Sequence, residues 1–492
     1  MAYDGKLLAL ARGELDKIRE TNRTEQQRRR SQVYARLPEV ESIDAALRSQ
    51  MAELVRLTVS RRADLKERIE ELVKKYPTPF HLYDERGIRE NARRVNEAFA
   101  WNRGYREFFA VKATPNPAIM QILREEGCGM DCSSLTELML CERLGLMLAK
   151  AVGFEGDDIM FSSNMTPAED YMYARKLGAI INLDDITHIN FLEKTIGYIP
   201  ETICCRFNPG GYFEIQNTIM DSPGDAKYGM TRPQLTEALL RLRDLGAVRF
   251  GLHAFLSSNT TDPAYYPALA RLLFQTGREL MDESGMPLAF VNLSGGIGIP
   301  YRPDQPETDI RAVGEGVARE YRRAFTENGI RGVAIKTELG RYMTGPNGWL
   351  VTHIINEKRI HKHYLGLDAS ACDLMRPAMY GAYHHITIPG KEYLPHDQLV
   401  DVTGSLCENN DKFAVDRMLP KTEIGDLLVI HDTGAHGLSM GYNYNGKLRC
   451  KEVLWCEDGS FRLIRRAETP RDYFATLDMD PVWPVLEARW LK

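Results

Sequence analysis

The chain has 492 residues, 43% of them hydrophobic, which is enough to bury at least two cores and predicts two or three domains. Its 63 basic and 68 acidic residues leave a net charge of −5, and no long basic run lies beside aromatic residues. This argues against nucleic-acid or membrane partners and for small-molecule chemistry. The nine cysteines are scattered, with no CxxC pair for a metal or redox site. There is neither a signal peptide nor an apolar run of about 18 residues, so a cytoplasmic protein with reduced thiols is expected.

Residues 1–63 are charged, with Leu7, Leu8, Leu10, Leu15 and Ile18 at helical spacing, and predict a helical N-terminal extension. A change of texture at Pro77-Thr78-Pro79 and a short β-like run, FHLYDE, mark 64–106 as an entry segment shared between two later domains. From there, eight short β-branched or aromatic runs alternate with amphipathic helices: 108–111, 128–130, 159–161, 179–181, 203–207, 248–255, 290–293 and 333–337. Eight strand-helix units predict a (β/α)8 barrel over 107–345, with a six-unit doubly wound sheet as the competing count. Beyond Pro346, strands separated by glycine and asparagine turns (WLVTHIINEK, HHITIPG, DLLVIHDTG, LRCKEVLW, SFRLIRR) predict a C-terminal β-sandwich or β-barrel domain over 346–492.

Chemistry in such a barrel gathers at the C-terminal strand ends, where the unusual residues of this chain fall. Lys112 ends the first strand. There it is either a lysine reaching solvent or an amine that loses its proton by desolvation and attacks a carbonyl. Ser294, Gly295 and Gly296 follow the seventh strand, forming either an ordinary tight turn or one whose N–H groups meet a phosphate. Glu338 and Arg341 follow the eighth, as a plain ion pair or as a carboxylate for a ring nitrogen and a guanidinium for a substrate carboxylate. Cys407, Glu408 and Asp411 cluster after a later strand, where a buried, inert cysteine is the ordinary reading.

FFAVKATPNP, GCGMDCSSLTEL, IMFSSNMTPAED, LSGGIGIPY, ELGRY, MRPAMYGAYHH, SLCENND and GDLLVIHDTGAHGLSMGYNYN occur in that order. Together they resemble the pyridoxal-phosphate (PLP) decarboxylases of the diaminopimelate and ornithine type, fold type III, from about residue 64 onward. The resemblance implies that Lys112 is the Schiff-base lysine, with Asp131 and Glu137 nearby. It implies cofactor contacts from Arg206, His253, Ser258, Ser294, Gly295, Gly296, Glu338, Arg341 and Tyr444, with Glu338 on the pyridine nitrogen and Gly296 and Tyr444 on the phosphate. It further implies that Arg341, Arg376, Tyr380 and Tyr444 bind substrate. Cys407, as proton donor, and Glu408 would act in a partner's active site across a homodimer, without a metal. Arg341, Arg376 and Glu408 suit a substrate with a second amino-acid end, so the expected reaction is meso-2,6-diaminopimelate to L-lysine and CO2. A same-fold decarboxylase of D-lysine, D-ornithine or carboxynorspermidine, and a catalytically inactive homologue, are the alternatives. Three positions depart from the pattern: Leu339 stands where proline is usual, Phe255 where a ring-stacking histidine is common (His253 lies two residues earlier), and His436 where tyrosine is common.

Overall fold

The computed structural model describes residues 65–147, 156–211, 213 and 222–478, so the helices expected over 1–63 lie outside the described residues. The strand β1 (Phe80–Asp84) comes first, and Asp84 caps the following helix, Glu85–Phe99, by accepting the Gly87 N–H at 3.2 Å. Eight parallel strands then close into a barrel: β2 (Arg106–Ala110), β3 (Gly129–Cys132), β4 (Ile159–Ser162), β5 (Ile180–Leu183), β6 (Thr202–Arg206), β7 (Arg249–His253), β8 (Leu288–Asn292) and β9 (Ala334–Thr337). Each of the eight runs singled out in the sequence overlaps one of these strands, with bounds shifted by up to two residues, and closure of β9 onto β2 excludes the open doubly wound sheet.

The two-residue side-chain period of a strand sorts these apolar runs into two layers. Phe108, Met160, Ile180, Cys204 and Phe290 fill the barrel interior, while neighbours such as Phe109, Phe161, Ile181 and Val291 pack outward against the helices. The longest helix among the described residues, Tyr265–Ser284, buries Tyr266, Leu269, Ala270, Leu273, Phe274, Gly277 and Leu280 at steps of three and four, the spacing that gives a helix one apolar face.

The second domain is a mixed sheet built from β10 (Gly348–Arg359), β11 (His363–Leu367), β12 (Ile386–Thr387), β13 (Gln398–Thr403), β14 (Lys412–Leu419), β15 (Leu427–Ile430), β16 (Lys451–Trp455) and β17 (Phe461–Arg465). Its order is β14-β13-β11-β10-β1-β16-β17, with β15 joining β10 to β12. The short β1 therefore lies inside this sheet, antiparallel to β10 and parallel to β16. A separate core of Leu350, Ile354, Leu365, Val402, Phe413 and Leu428 stabilises the domain. The sequence reading had not singled out β11, β13 and β14. No helix among the described residues is long and apolar enough to cross a membrane.

Candidate active site

An open cavity of about 600 Å³ lies at the C-terminal ends of the barrel strands. After β2 the chain makes a single 3-10 turn, Val111–Ala113, which brings Lys112 to the cavity. Asn116 then starts the next helix, Pro117–Glu125, by accepting the Ala118 N–H at 3.0 Å, with proline supplying a preset φ at its first position. Lys112 Nζ donates to Asp131 Oδ2 at the end of β3, 3.2 Å away.

Glu338, just past β9, is the hub of the site. Its Oε1 accepts from Asn292 Nδ2 (2.7 Å) and the Ser162 hydroxyl (3.1 Å), and its Oε2 from the Ser294 hydroxyl (2.8 Å), with His253 Nε2 3.1 Å from the same oxygen. Side chains from β4, β7 and β8 and the turn after β8 thus hold one buried carboxylate, and the basic side chain against it is His253 rather than Arg341. Burial alone would raise the Glu338 carboxyl, but His253, then Lys112 and Ser294, outweigh it and hold it down at about 2.

Burial pushes the Asp131 carboxyl up, and Glu338 adds to this while Lys112 offsets part of it, leaving Asp131 at about 7. The lysine departs from expectation. Desolvation by the surrounding barrel favours its neutral amine even though the side chain is half exposed, but Asp131, Glu338 and Glu137 together outweigh it, so Lys112 is raised above its ordinary value. Proton loss by desolvation therefore does not describe this amine when it sits among three carboxylates.

The turn after β8 presents backbone to the cavity. A Cβ on Gly295 would fall 2.8 Å from the Glu338 carbonyl oxygen, and one on Gly296 2.7 Å from that of Ser257. Gly296 also has a φ of +116°, which disfavours any side chain. Across from this turn the cavity is lined by Arg206, Phe255, Ser258, Arg341 and His436. Arg206 pairs with Asp184 at 3.2 Å. Arg341 donates to the Tyr301 hydroxyl, and so does Arg376, at 2.9 Å. Both guanidinium groups are buried, and neither has a carboxylate ion partner among the described residues. Arg376 also donates to His384 Nε2 at 2.8 Å, leaving His384 Nδ1–H for the His431 carbonyl at 2.8 Å. Burial, then Arg376, lowers His384 to about 3, consistent with that neutral tautomer.

Lys112, Arg206, His253, Ser258, Ser294, Gly295, Gly296, Glu338 and Arg341 therefore line one cavity, with Asp131 in contact with Lys112. Tyr380, Cys407, Glu408 and Tyr444 are exposed and lie outside this lining. The inert buried cysteine is excluded by the exposure of Cys407, whose N–H donates to Asn445 Oδ1 at 2.6 Å. Its loop is shaped by the buried Asp411, which accepts from Leu406 and Ala371 N–H at 2.8 and 2.7 Å. His436, and not Tyr444, is the residue that the glycine-rich segment brings to the cavity. Its φ is +54°, and its N–H donates to the Ala113 carbonyl at 2.9 Å. Burial, then Arg341, Arg376 and Lys112, drive the His436 imidazole well below its ordinary value. Sequence reasoning passed over Ser162, Asn292, Tyr301 and His384. A signal existed for Asn292, a polar residue ending an apolar strand beside the glycine turn.

Residues 85–345 match the model of the pyridoxal-dependent decarboxylase family's pyridoxal-binding domain. The chain belongs to this family. Its cofactor is pyridoxal phosphate, and it is a PLP-dependent carboxy-lyase. It is 42% identical over 414 residues to Protein TabA of Pseudomonas amygdali pv. tabaci, spanning 84% of this chain and 94% of that protein. It is 32% identical over 408 residues to the diaminopimelate decarboxylase of Methanothermobacter thermautotrophicus, spanning 82% of this chain and 92% of the relative. The crystal structure of M. jannaschii diaminopimelate decarboxylase in complex with L-lysine superposes with a TM-score of 0.75 at 28% identity, covering 84% of this chain and 94% of that one. The cavity fits the cofactor. Two buried polar atoms, Asp131 Oδ1 and His253 Nδ1, have no hydrogen-bond partner among the described residues, and the Ser294–Gly296 turn is free of obstructing side chains.

Proposed function

We propose that this decarboxylase acts on meso-2,6-diaminopimelate, releasing CO2 and L-lysine. The observation that carries the reading is the Arg341–Tyr301–Arg376 arrangement: two buried guanidinium groups joined on one hydroxyl, with no carboxylate of the described chain to neutralise them. A substrate with a second carboxylate far from the reacting carbon supplies the missing charge, and a guanidinium binds it through two parallel hydrogen bonds.

Pyridoxal phosphate, when bound, supplies the electron sink for the pair released as CO2 departs. Lys112 would hold it by its amine, the Ser294–Gly296 turn its phosphate, and Glu338 its ring nitrogen. The ionised Glu338 keeps a proton on that nitrogen, its oxygens fixed by Ser162, Asn292 and Ser294. Arg341 and Arg376 orient the substrate by its distal end, so that binding energy fixes the geometry of the scissile carboxylate. Cys407 and Glu408, exposed on this chain, act in the site of a second copy, Cys407 returning a proton to the α-carbon.

His436 favours a second reading, in which another amino acid is decarboxylated on the same scaffold. An imidazole at this wall, where the resemblance leads one to expect tyrosine, changes the hydrogen bonds offered to the substrate. The test is to record visible absorption of the purified, cofactor-loaded protein and of Lys112→Ala, and to assay CO2 release from meso-diaminopimelate, D-lysine and L-ornithine. The expected result is an absorption band that the variant loses, and release from diaminopimelate. Preference for either other substrate sinks the first reading, and a protein sedimenting as a monomer removes the shared site.

A further inference from the structure

The seam between β2 and β9 is paired over only two positions, Arg106 with Lys336 and Glu107 with Thr337. Beyond it β9 runs into Glu338, and the backbone there is held by other means. Glu338 N–H donates to the Ser294 carbonyl at 2.7 Å, and the Leu339 carbonyl accepts from Ala110 N–H at 3.0 Å. The third bond comes from a side chain. The carboxyl group of Glu107, fully buried, accepts Leu339 N–H on Oε1 at 2.7 Å and the Thr337 hydroxyl on Oε2. It thus grips the residues on both sides of Glu338, and Tyr105 supports Thr337 from behind through a hydroxyl contact of 2.8 Å. A proline at 339 would have no N–H to offer, so the leucine at this position and the glutamate at 107 work as a pair.

The geometry points to Glu107 as a positioning residue for the reaction: through Leu339 N–H and the Thr337 hydroxyl it fixes where Glu338 stands relative to the Lys112 segment. The same Leu339 carbonyl is bonded to Ala110, two residues before Lys112, so the grip registers the two groups that would hold opposite ends of the cofactor. A buried carboxyl group is costly to keep in a barrel seam, and burial pushes Glu107 up to about 8. A merely structural seam is made without it by apolar packing. The inference rests on the assignment of Glu338 to the ring nitrogen proposed above.

The test compares Glu107→Ala, Glu107→Gln, Leu339→Pro and the Glu107→Ala/Leu339→Pro double variant as holoenzymes, with Glu338→Gln alongside. Glutamine keeps an acceptor for Leu339 N–H and preserves a Thr337 contact in reversed sense, its amide nitrogen donating to the hydroxyl oxygen. The expected result for Glu107→Ala is a fall in kcat of about tenfold or more at little-changed KM. Glu107→Gln should recover most of that loss, and the double variant should be no worse than the poorer single one. In the cofactor-free protein, hydrogen exchange at the Leu339 amide should quicken in Glu107→Ala but not in Glu107→Gln. Should Glu107→Ala not fold, Leu339→Pro, which removes the donor and leaves the carboxyl group, carries the comparison. A kcat within twofold of the parent in Glu107→Ala, or losses that add in the double variant, overturns the inference while Glu338→Gln remains impaired. Full activity and an unaltered cofactor band in Glu338→Gln would overturn both this inference and the role given to Glu338.

Discussion

Tyr301→Phe isolates one oxygen atom of the proposed substrate wall. The phenyl ring keeps its packing, since Arg376 lies over the ring at 4.8 Å and His384 meets it edge-on at 5.0 Å, and neither contact uses the hydroxyl. What disappears is the acceptor shared by the Arg341 and Arg376 guanidinium groups, both nine-tenths or more buried. A hydrogen bond to a charged group nets about 1.5–3 kcal/mol. With two such bonds on one oxygen and no carboxylate to take them over, stability should fall by roughly 2–4 kcal/mol. The arginines also lose the strut that aims them, so KM for a substrate with a distal carboxylate should rise about tenfold, equivalent to about 1.4 kcal/mol. The cofactor band should stay unchanged. Steady-state CO2 release and denaturant unfolding of the same preparation read both quantities. An unaltered KM together with an unaltered unfolding midpoint would refute the claim that this hydroxyl organises the two arginines.

Two further expectations concern charge in the interior. Burial raises the Glu107 carboxyl from 4.5 to about 8, so the native protein holds a proton there that the unfolded chain has released. The native state then binds more protons than the unfolded state between those values, and this group's contribution to stability falls as pH rises through that window. Glu107→Gln cannot titrate, so its urea midpoint relative to the parent should be higher at pH 8 than at pH 5, and a constant difference would contradict the assignment. In the second domain, the buried Glu452 accepts from Tyr83 (2.7 Å), Asn116 (2.8 Å) and Arg465 (2.5 Å). Arg465→Leu leaves that carboxylate without its counter-charge and should cost about 2–4 kcal/mol, somewhat below the full penalty for a buried pair because Arg465 is partly exposed. Glu452→Gln in that background should restore much of the loss, as thermal denaturation would show.

The eight barrel strands were legible because each is a short apolar run ended by polar residues, and their ends were legible as chemistry because a parallel barrel leaves only one pole for it. The β1 run was visible as a strand, but its partners were not, since they lie far along the chain and nothing local encodes the pairing. Lys112 was legible by position only as a candidate, since a lysine reaching solvent fits the same strand end, and the resemblance alone singled it out. Its charge state was not, because the carboxylates that set it come from β3, the helix after it and β9, all remote in sequence. That His436 lines the cavity on this chain while Tyr444 lies outside it was illegible for another reason. GAHGLSMGYNYN has neither a helical nor a strand period, so nothing in it says which ring enters the cavity, and a left-handed backbone at His436 decides it. Tyr301 went unnoticed because its role depends on two arginines brought to it from after β9 and from the second domain.

The place of β1 within its sheet also sets an order of events during synthesis. Phe80 pairs with Val351 on one side and with Lys451 on the other, and the barrel strands all leave the ribosome between them. At typical elongation rates of about 5–20 residues per second, the second partner appears roughly 20–70 s after the first strand. Until β10 emerges β1 has no partner on the nascent chain, and until β16 emerges one of its edges stays open, while barrel units behind it can already pair with their neighbours. FHLYD thus waits through synthesis of the whole barrel before its sheet can form, which makes this pentapeptide the first place to look if expression ends in aggregates.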